Sequence, residues 1–182
     1  MLPKGDKYIP EVKAQLANTF LFDIRDSWTA LPIYEEIMEG WPETKYYYEA
    51  RLWSTYIRFR EKKELKADEA IKICEEIVDT SKILQLDDNS QTDSNKDSYW
   101  LNVKASAMYT IGFIQYWQGQ KYLAIKQFQR VLDEYGKVAY DDIKAECYLF
   151  IGHIREQQEQ YRLALQAYET AMKVVPNSNT NC

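Results

Sequence analysis

The sequence predicts an all-α chain, an array of about four helix-turn-helix units, on three observations. Gly112 and Gly152, Ala124 and Ala164, Phe128 and Tyr168, and Val131 and Ala171 are each 40 residues apart, so the stretch from Ala105 to Pro176 reads as two copies of one unit. Along most of the remaining chain apolar residues recur at spacings of three and four, the period of a helix with one buried face. Glycine and proline number only 6 and 5 in 182 residues, with 46% apolar and 28% charged residues, which suits a helical protein rather than an all-β or disordered one. A chain of this length buries a core of its own. A single repeat domain over residues 7–176 follows, in units of about 10–42, 43–85, 98–138 and 139–176.

Tyr8, Ile9, Val12, Leu16, Phe20 and Ile24 predict a first helix over about 10–26, and Asp26 or Ser27 can cap the next. That second helix carries Trp28, Ala30, Tyr34 and Ile37 and ends before Gly40 and Pro42. Ala30, Tyr34, Ile37 and Pro42 repeat the spacing of Ala164, Tyr168, Ala171 and Pro176, so the first unit is a copy too, with Asn18 where the later copies have glycine. A long aromatic helix over 43–63 contains Tyr46, Tyr47, Tyr48, Trp53, Tyr56 and Phe59, and its partner over 67–83 presents Ala70, Cys74 and Ile77. Arg58 stands at the glycine position of this second copy, which is accordingly degenerate.

The anchoring alanines 30, 70, 124 and 164 thus leave an insertion between the second and third copies. It is LDDNSQTDSNKDS, residues 86–98, and reads as a flexible loop, with Asp97 or Ser98 capping the helix that follows. Asp93, Asn95 and Asp97 alternate like the start of a calcium loop, but Ser98 and Lys104 replace the glycine and glutamate such a loop requires, and no metal is expected. The tail 177–182 has no pattern and is expected to be disordered.

Glycine at 112 and 152 lets the two helices of a unit approach closely, and Ala124 or Ala164 presents an equally small side chain opposite. The aromatic and small residues four and seven positions after each alanine share a face that one unit cannot bury alone, so units must stack. The order of apolar residue, glycine, alanine, aromatic, small residue and closing Pro176 resembles the tetratricopeptide repeat, lengthened here to about 40 residues from the usual 34.

That resemblance implies a right-handed α-solenoid whose first helices line a concave groove. Carried over position by position, the groove-facing residues are Gln15, Leu16, Thr19 and Phe22, then Thr55, Tyr56 and Phe59, then Tyr109, Thr110, Phe113 and Tyr116, then Leu149, Phe150, His153 and Glu156. Aromatic side chains dominate, giving large contact area with few rotors, and so the resemblance implies a non-catalytic scaffold or adaptor for a peptide or helix of a partner. The other reading is a structural subunit of a homo-oligomer or a permanent complex. Some family members clamp the terminal carboxylate of heat-shock chaperones with groove cations. Here Lys13 and Asn18 are out of register, and Tyr109, Phe113, Leu149 and His153 stand where the later units would need donors, which disfavours that ligand.

The net charge of −5, with lysines interspersed, gives no reason to expect nucleic acid. Arg58, Arg60, Lys62, Lys63 and Lys66 form the one dense basic run and read as a solvated helix end. No stretch is apolar enough to insert in a membrane, and MLPKGDKY lacks the apolar core of a signal peptide, so a cytoplasmic location is expected. Cys74, Cys147 and Cys182 are odd in number and lack CxxC spacing, which points to neither a disulfide framework nor a zinc site. His153 is the single histidine, without a nucleophile motif beside it, and no phosphate-loop, dinucleotide, zincin or nucleophile-elbow pattern occurs. Neither catalysis nor a cofactor is expected.

Overall fold

A computed structural model of the chain describes residues 8–42, 44–84 and 94–174. Among the described residues there are eight α-helices and no strand: α1 (Ile9–Asn18), α2 (Ser27–Gly40), α3 (Lys45–Ile57), α4 (Ala67–Leu84), α5 (Ser94–Trp117), α6 (Lys121–Tyr135), α7 (Asp141–Gln157) and α8 (Tyr161–Val174). They fall into two compact units, divided between Ile73 and Cys74 within α4.

The first helices of repeats 1 and 2 do not run as single α-helices. α1 passes into a π turn at Thr19–Ile24 and α3 into another at Arg58–Lys62. Each π turn stops at a left-handed residue, Arg25 with φ 63° and Lys63 with φ 53°. The N–H groups of Asp26 and Glu64 then bond back to the carbonyls of Phe20 and Arg58, at 2.8 and 3.0 Å. Gly119 (φ 77°) and Glu159 (φ 61°) take the same role after α5 and α7. Arg25, Gly119 and Glu159 each precede the anchoring alanine by five residues, whereas Lys63 precedes Ala70 by seven, and this longer turn is where the second copy departs from the others.

Asp26, not Ser27, caps α2: its carboxylate accepts the Thr29 N–H at 3.1 Å and the Thr29 hydroxyl at 2.6 Å, and these bonds hold it below the ordinary aspartate range. Helix α5 begins at Ser94, so residues 94–98, read from the sequence as loop, are helical. Ser94, Asn95 and Asp97 are residue types that favour a helix start as well as a turn, which is why composition misled there. The rest of the expected loop and the tail 177–182 lie outside the described residues.

In the first unit α1 packs on α2, and α3 packs on both. Ala17, Ala30, Leu31, Tyr34, Ile37, Ala50 and Leu52 are buried there. In the second unit α5 packs on α6, α6 on α7, α7 on α8, and α7 also touches α5. Met108, Ile114, Phe128, Val131 and Ile154 are among its fully buried large side chains.

The glycines do what their spacing predicts. A Cβ on Gly112 would stand 2.8 Å from the Phe128 ring, and one on Gly152 would stand 2.5 Å from the Tyr168 ring. In repeat 1 the same place holds Asn18, which accepts a 2.7 Å hydrogen bond from the Tyr34 hydroxyl, so the aromatic opposite is met by a polar contact instead of an open space. Gly112→Ala is expected to cost about 1–2 kcal/mol, because overpacking outweighs the helix-propensity gain of alanine. Gly152→Ala, although nominally the tighter clash, is expected to cost under about 1 kcal/mol, because Tyr168 is half-exposed and swings aside while Phe128 is sealed in. Urea unfolding of the two variants compares them directly.

Candidate functional site

In the second unit the sequence-predicted groove residues of α5 and α7 come together in one aromatic cluster. Its base is closed. Tyr109 and Phe113 are only 5% and 2% exposed, and Phe150 stacks on Phe128 of α6 with ring centroids 5.4 Å apart and planes 18° apart. Tyr109 and Phe113 each touch Phe150, at 6.3 and 5.6 Å, so these two rings support the surface more than they form it.

The accessible part lies above them. Tyr116 is half-buried, its ring 5.0 Å from Phe150 and 6.0 Å from His153. The Tyr116 oxygen is 3.3 Å from His153 Nδ1, and the Gln157 amide donates to it at 3.5 Å. Trp117, 61% exposed, lies edge-on to Tyr116 and Phe113. On α8 the Tyr168 hydroxyl donates to Glu156 at 2.8 Å; burial first, and then the carboxylate, push this phenol up to about 12. Leu149 and His153 are exposed on α7.

In the first unit, Gln15, Leu16 and Thr19 are exposed, and the Thr19 hydroxyl donates to the Gln15 carbonyl at 3.0 Å. Phe22 is half-buried, edge-on to Trp53 at 4.7 Å. Tyr56 is buried and accepts a hydrogen bond from Arg60, and Phe59 is half-buried. Phe22 and Tyr56 share the wall of a cavity of about 170 Å³ with Leu21, Arg25, Ser27, Arg60 and Glu61, and Ser27 donates to Glu61 across it. The basic run is largely occupied locally. Arg58 pairs with Glu35 at 2.6 Å, and Lys62 lies over the Trp28 ring at 5.0 Å.

Trp117 and Gln157 were not among the residues singled out from the sequence. Each follows a singled-out residue by four, Phe113 and His153 respectively, and that helical step was the available signal.

Residues 104–177 match the family described as Tetratricopeptide repeat. That segment of the chain is tetratricopeptide-like. No curated protein matches it. The match takes in α5 from Lys104 onward and the whole of α6, α7 and α8, so the aromatic cluster lies within the matched segment. Such repeats generally mediate protein–protein interactions and are typically non-catalytic. Among the described residues no three His, Cys, Asp or Glu side chains are grouped to hold a metal, and burial raises the Cys147 thiol far above its ordinary range, so it carries no thiolate at neutral pH. Among the described residues no helix is long and apolar enough to cross a membrane.

Proposed function

We propose that this chain is a non-catalytic scaffold that holds a peptide or helix of a partner protein against the first helices of its repeats, with the face of α5 and α7 as the main contact. The observation that carries the reading is the half-open ring pair Tyr116 and Phe150, continued by exposed Trp117 and His153 and seated on the buried Tyr109 and Phe113. Rings held from beneath lose little entropy on binding, and the Gln157 and His153 polar atoms beside Tyr116 orient what lands there. Within the first unit, Gln15, Thr19, Phe22 and Phe59, seated on the buried Tyr56, offer a surface of the same kind. Net charge −5 sets the chain apart from nucleic-acid binders, and the buried thiols Cys74 and Cys147 go with the reducing cytoplasm.

The test is capture from native lysate by the wild-type chain and by a Tyr116→Ala, His153→Ala variant whose helicity and melting are unchanged. Loss of the captured protein, with affinity reduced roughly 30-fold as for an aromatic hot spot, is expected. Retention of the same partner at undiminished affinity would sink the assignment. A second reading, a subunit of a homo-oligomer, is favoured by the apolar side chains that α8 leaves uncovered.

A further inference from the structure

Three second helices present the same three positions, one, four and eight residues after the anchoring alanine. On α2 they are Leu31, Tyr34 and Met38, and α3 covers them: Leu31 and Tyr34 are 2% and 0% exposed, and the Ser54 hydroxyl of α3 lies 3.9 Å from the Met38 sulfur. On α6 they are Ile125, Phe128 and Leu132, and α7 covers them, with Phe128 stacked on Phe150 and Ile125 and Leu132 at least half-buried. On α8 they are Leu165, Tyr168 and Met172, and no described helix follows to cover them. Leu165 is 59% exposed and Met172 69%.

The covering half of the junction also has an uncovered example. Counted back nine residues from the left-handed residue that ends each first helix, Lys63 leads to Ser54 and Glu159 to Phe150, the two residues that touch the preceding second helix. From Arg25 the same count leads to Leu16 on α1, which is 47% exposed, with Val12 one turn earlier at 60%. The anchoring alanines Ala30 and Ala164 give the same match of Leu16 to Phe150. α1 therefore carries the covering face, and α8 the covered face, of a junction that the chain builds internally at α2 with α3 and at α6 with α7.

We propose that α1 of a second copy of this chain seats on α8, with Leu16 against Tyr168 and Val12 and its neighbours over Leu165 and Met172, continuing the repeat stacking from one molecule to the next. Such a contact is heterologous, one face of one copy meeting a different face of the other, and leaves an open α1 and an open α8 for further copies. It does not depend on the binding face of α5 and α7.

Sedimentation velocity over a range reaching on the order of 100 µM tests it, since an interface of this small size is expected to dissociate in the micromolar range. The wild-type mass is expected to rise with concentration past the dimer. Leu16→Lys on α1, and Leu165→Lys with Met172→Lys on α8, are each expected to weaken association at least about tenfold while leaving the melting curve intact, because all three side chains are exposed. Mixing the two variants is the decisive arm: one retains α8 and the other α1, so the mixture forms a 1:1 dimer and stops there. A wild type that stays monomeric, a Leu16→Lys variant that associates as well as wild type, or a mixture that remains monomeric overturns the proposal.

Discussion

Phe128→Ala is expected to remove about 3–5 kcal/mol of stability from the second unit, the range for truncating a large aromatic in a packed core. Phe128 is fully buried, stacks on Phe150 at 5.4 Å and meets Tyr109 at 5.9 Å. A third side of its site is Gly112, which has no side chain to relax into the void. Loss of this ring therefore opens the packing between α5 and α6 at Gly112 and removes the seat of Phe150 on α7 together. The same change at the matching position, Tyr168→Ala, is expected to cost under about 2 kcal/mol, since Tyr168 is half-exposed and its far side has no covering helix among the described residues. Urea unfolding read by circular dichroism measures both. Coupling adds a sharper check: Gly112→Ala, destabilising alone, is expected to turn neutral or favourable once Phe128 has been shortened to leucine, because the atoms it collides with are gone.

Asn18→Ala is expected to cost about 2–4 kcal/mol in the first unit, more than a surface asparagine would, because two buried groups lose a partner at once. The Asn18 amide accepts from the Tyr34 hydroxyl at 2.7 Å and donates to Glu49 at 3.1 Å, and Tyr34 and Glu49 are 0% and 7% exposed. Tyr34→Phe removes donor and need together and is expected to cost only about 1 kcal/mol. The pair also predicts a pH dependence. Burial, and secondarily the Glu49 charge, raise the Tyr34 phenol far above its unfolded value near 10.0. A group whose folded pKa is raised contributes stability that is fully present below the unfolded pKa and is lost as pH climbs beyond it. Above pH 10 the unfolded chain releases a proton that native Tyr34 keeps, so wild type is expected to lose about 1.4 kcal/mol per pH unit more than Tyr34→Phe. Parallel slopes for the two proteins between pH 10 and 12 would contradict this.

Most of the fold was legible because repetition is a strong signal. Gly112, Gly152 and the alanines 30, 124 and 164 gave the pairs α1 with α2, α5 with α6 and α7 with α8, and the close ring contacts at both glycines are the physical reason for that spacing. The π turns after α1 and α3 were not legible, since a one-residue widening of a helical turn leaves the apolar period nearly unchanged. The helix start at Ser94 was hidden by residues that serve turns and caps alike. At the site, periodicity placed Tyr109, Phe113, Tyr116, Phe150 and His153 on neighbouring helices. It did not separate the rings that carry the surface from those that form it, because an inward and an outward aromatic on one helix differ by a rotation of the face and not by spacing. Phe150 illustrates the point: read as groove-facing, it spends its face on Phe128 and gives its edge to Tyr116.

The binding face of α5 and α7 is tested most directly by hydroxyl-radical footprinting of the chain with its captured partner bound. Oxidation of Tyr116, Trp117 and His153 is expected to fall severalfold, while Trp28 and Tyr122, which are 72% and 77% exposed elsewhere, keep their rates. Unchanged oxidation at Tyr116, Trp117 and His153, with protection appearing at Tyr122 or Trp28 instead, would contradict the account.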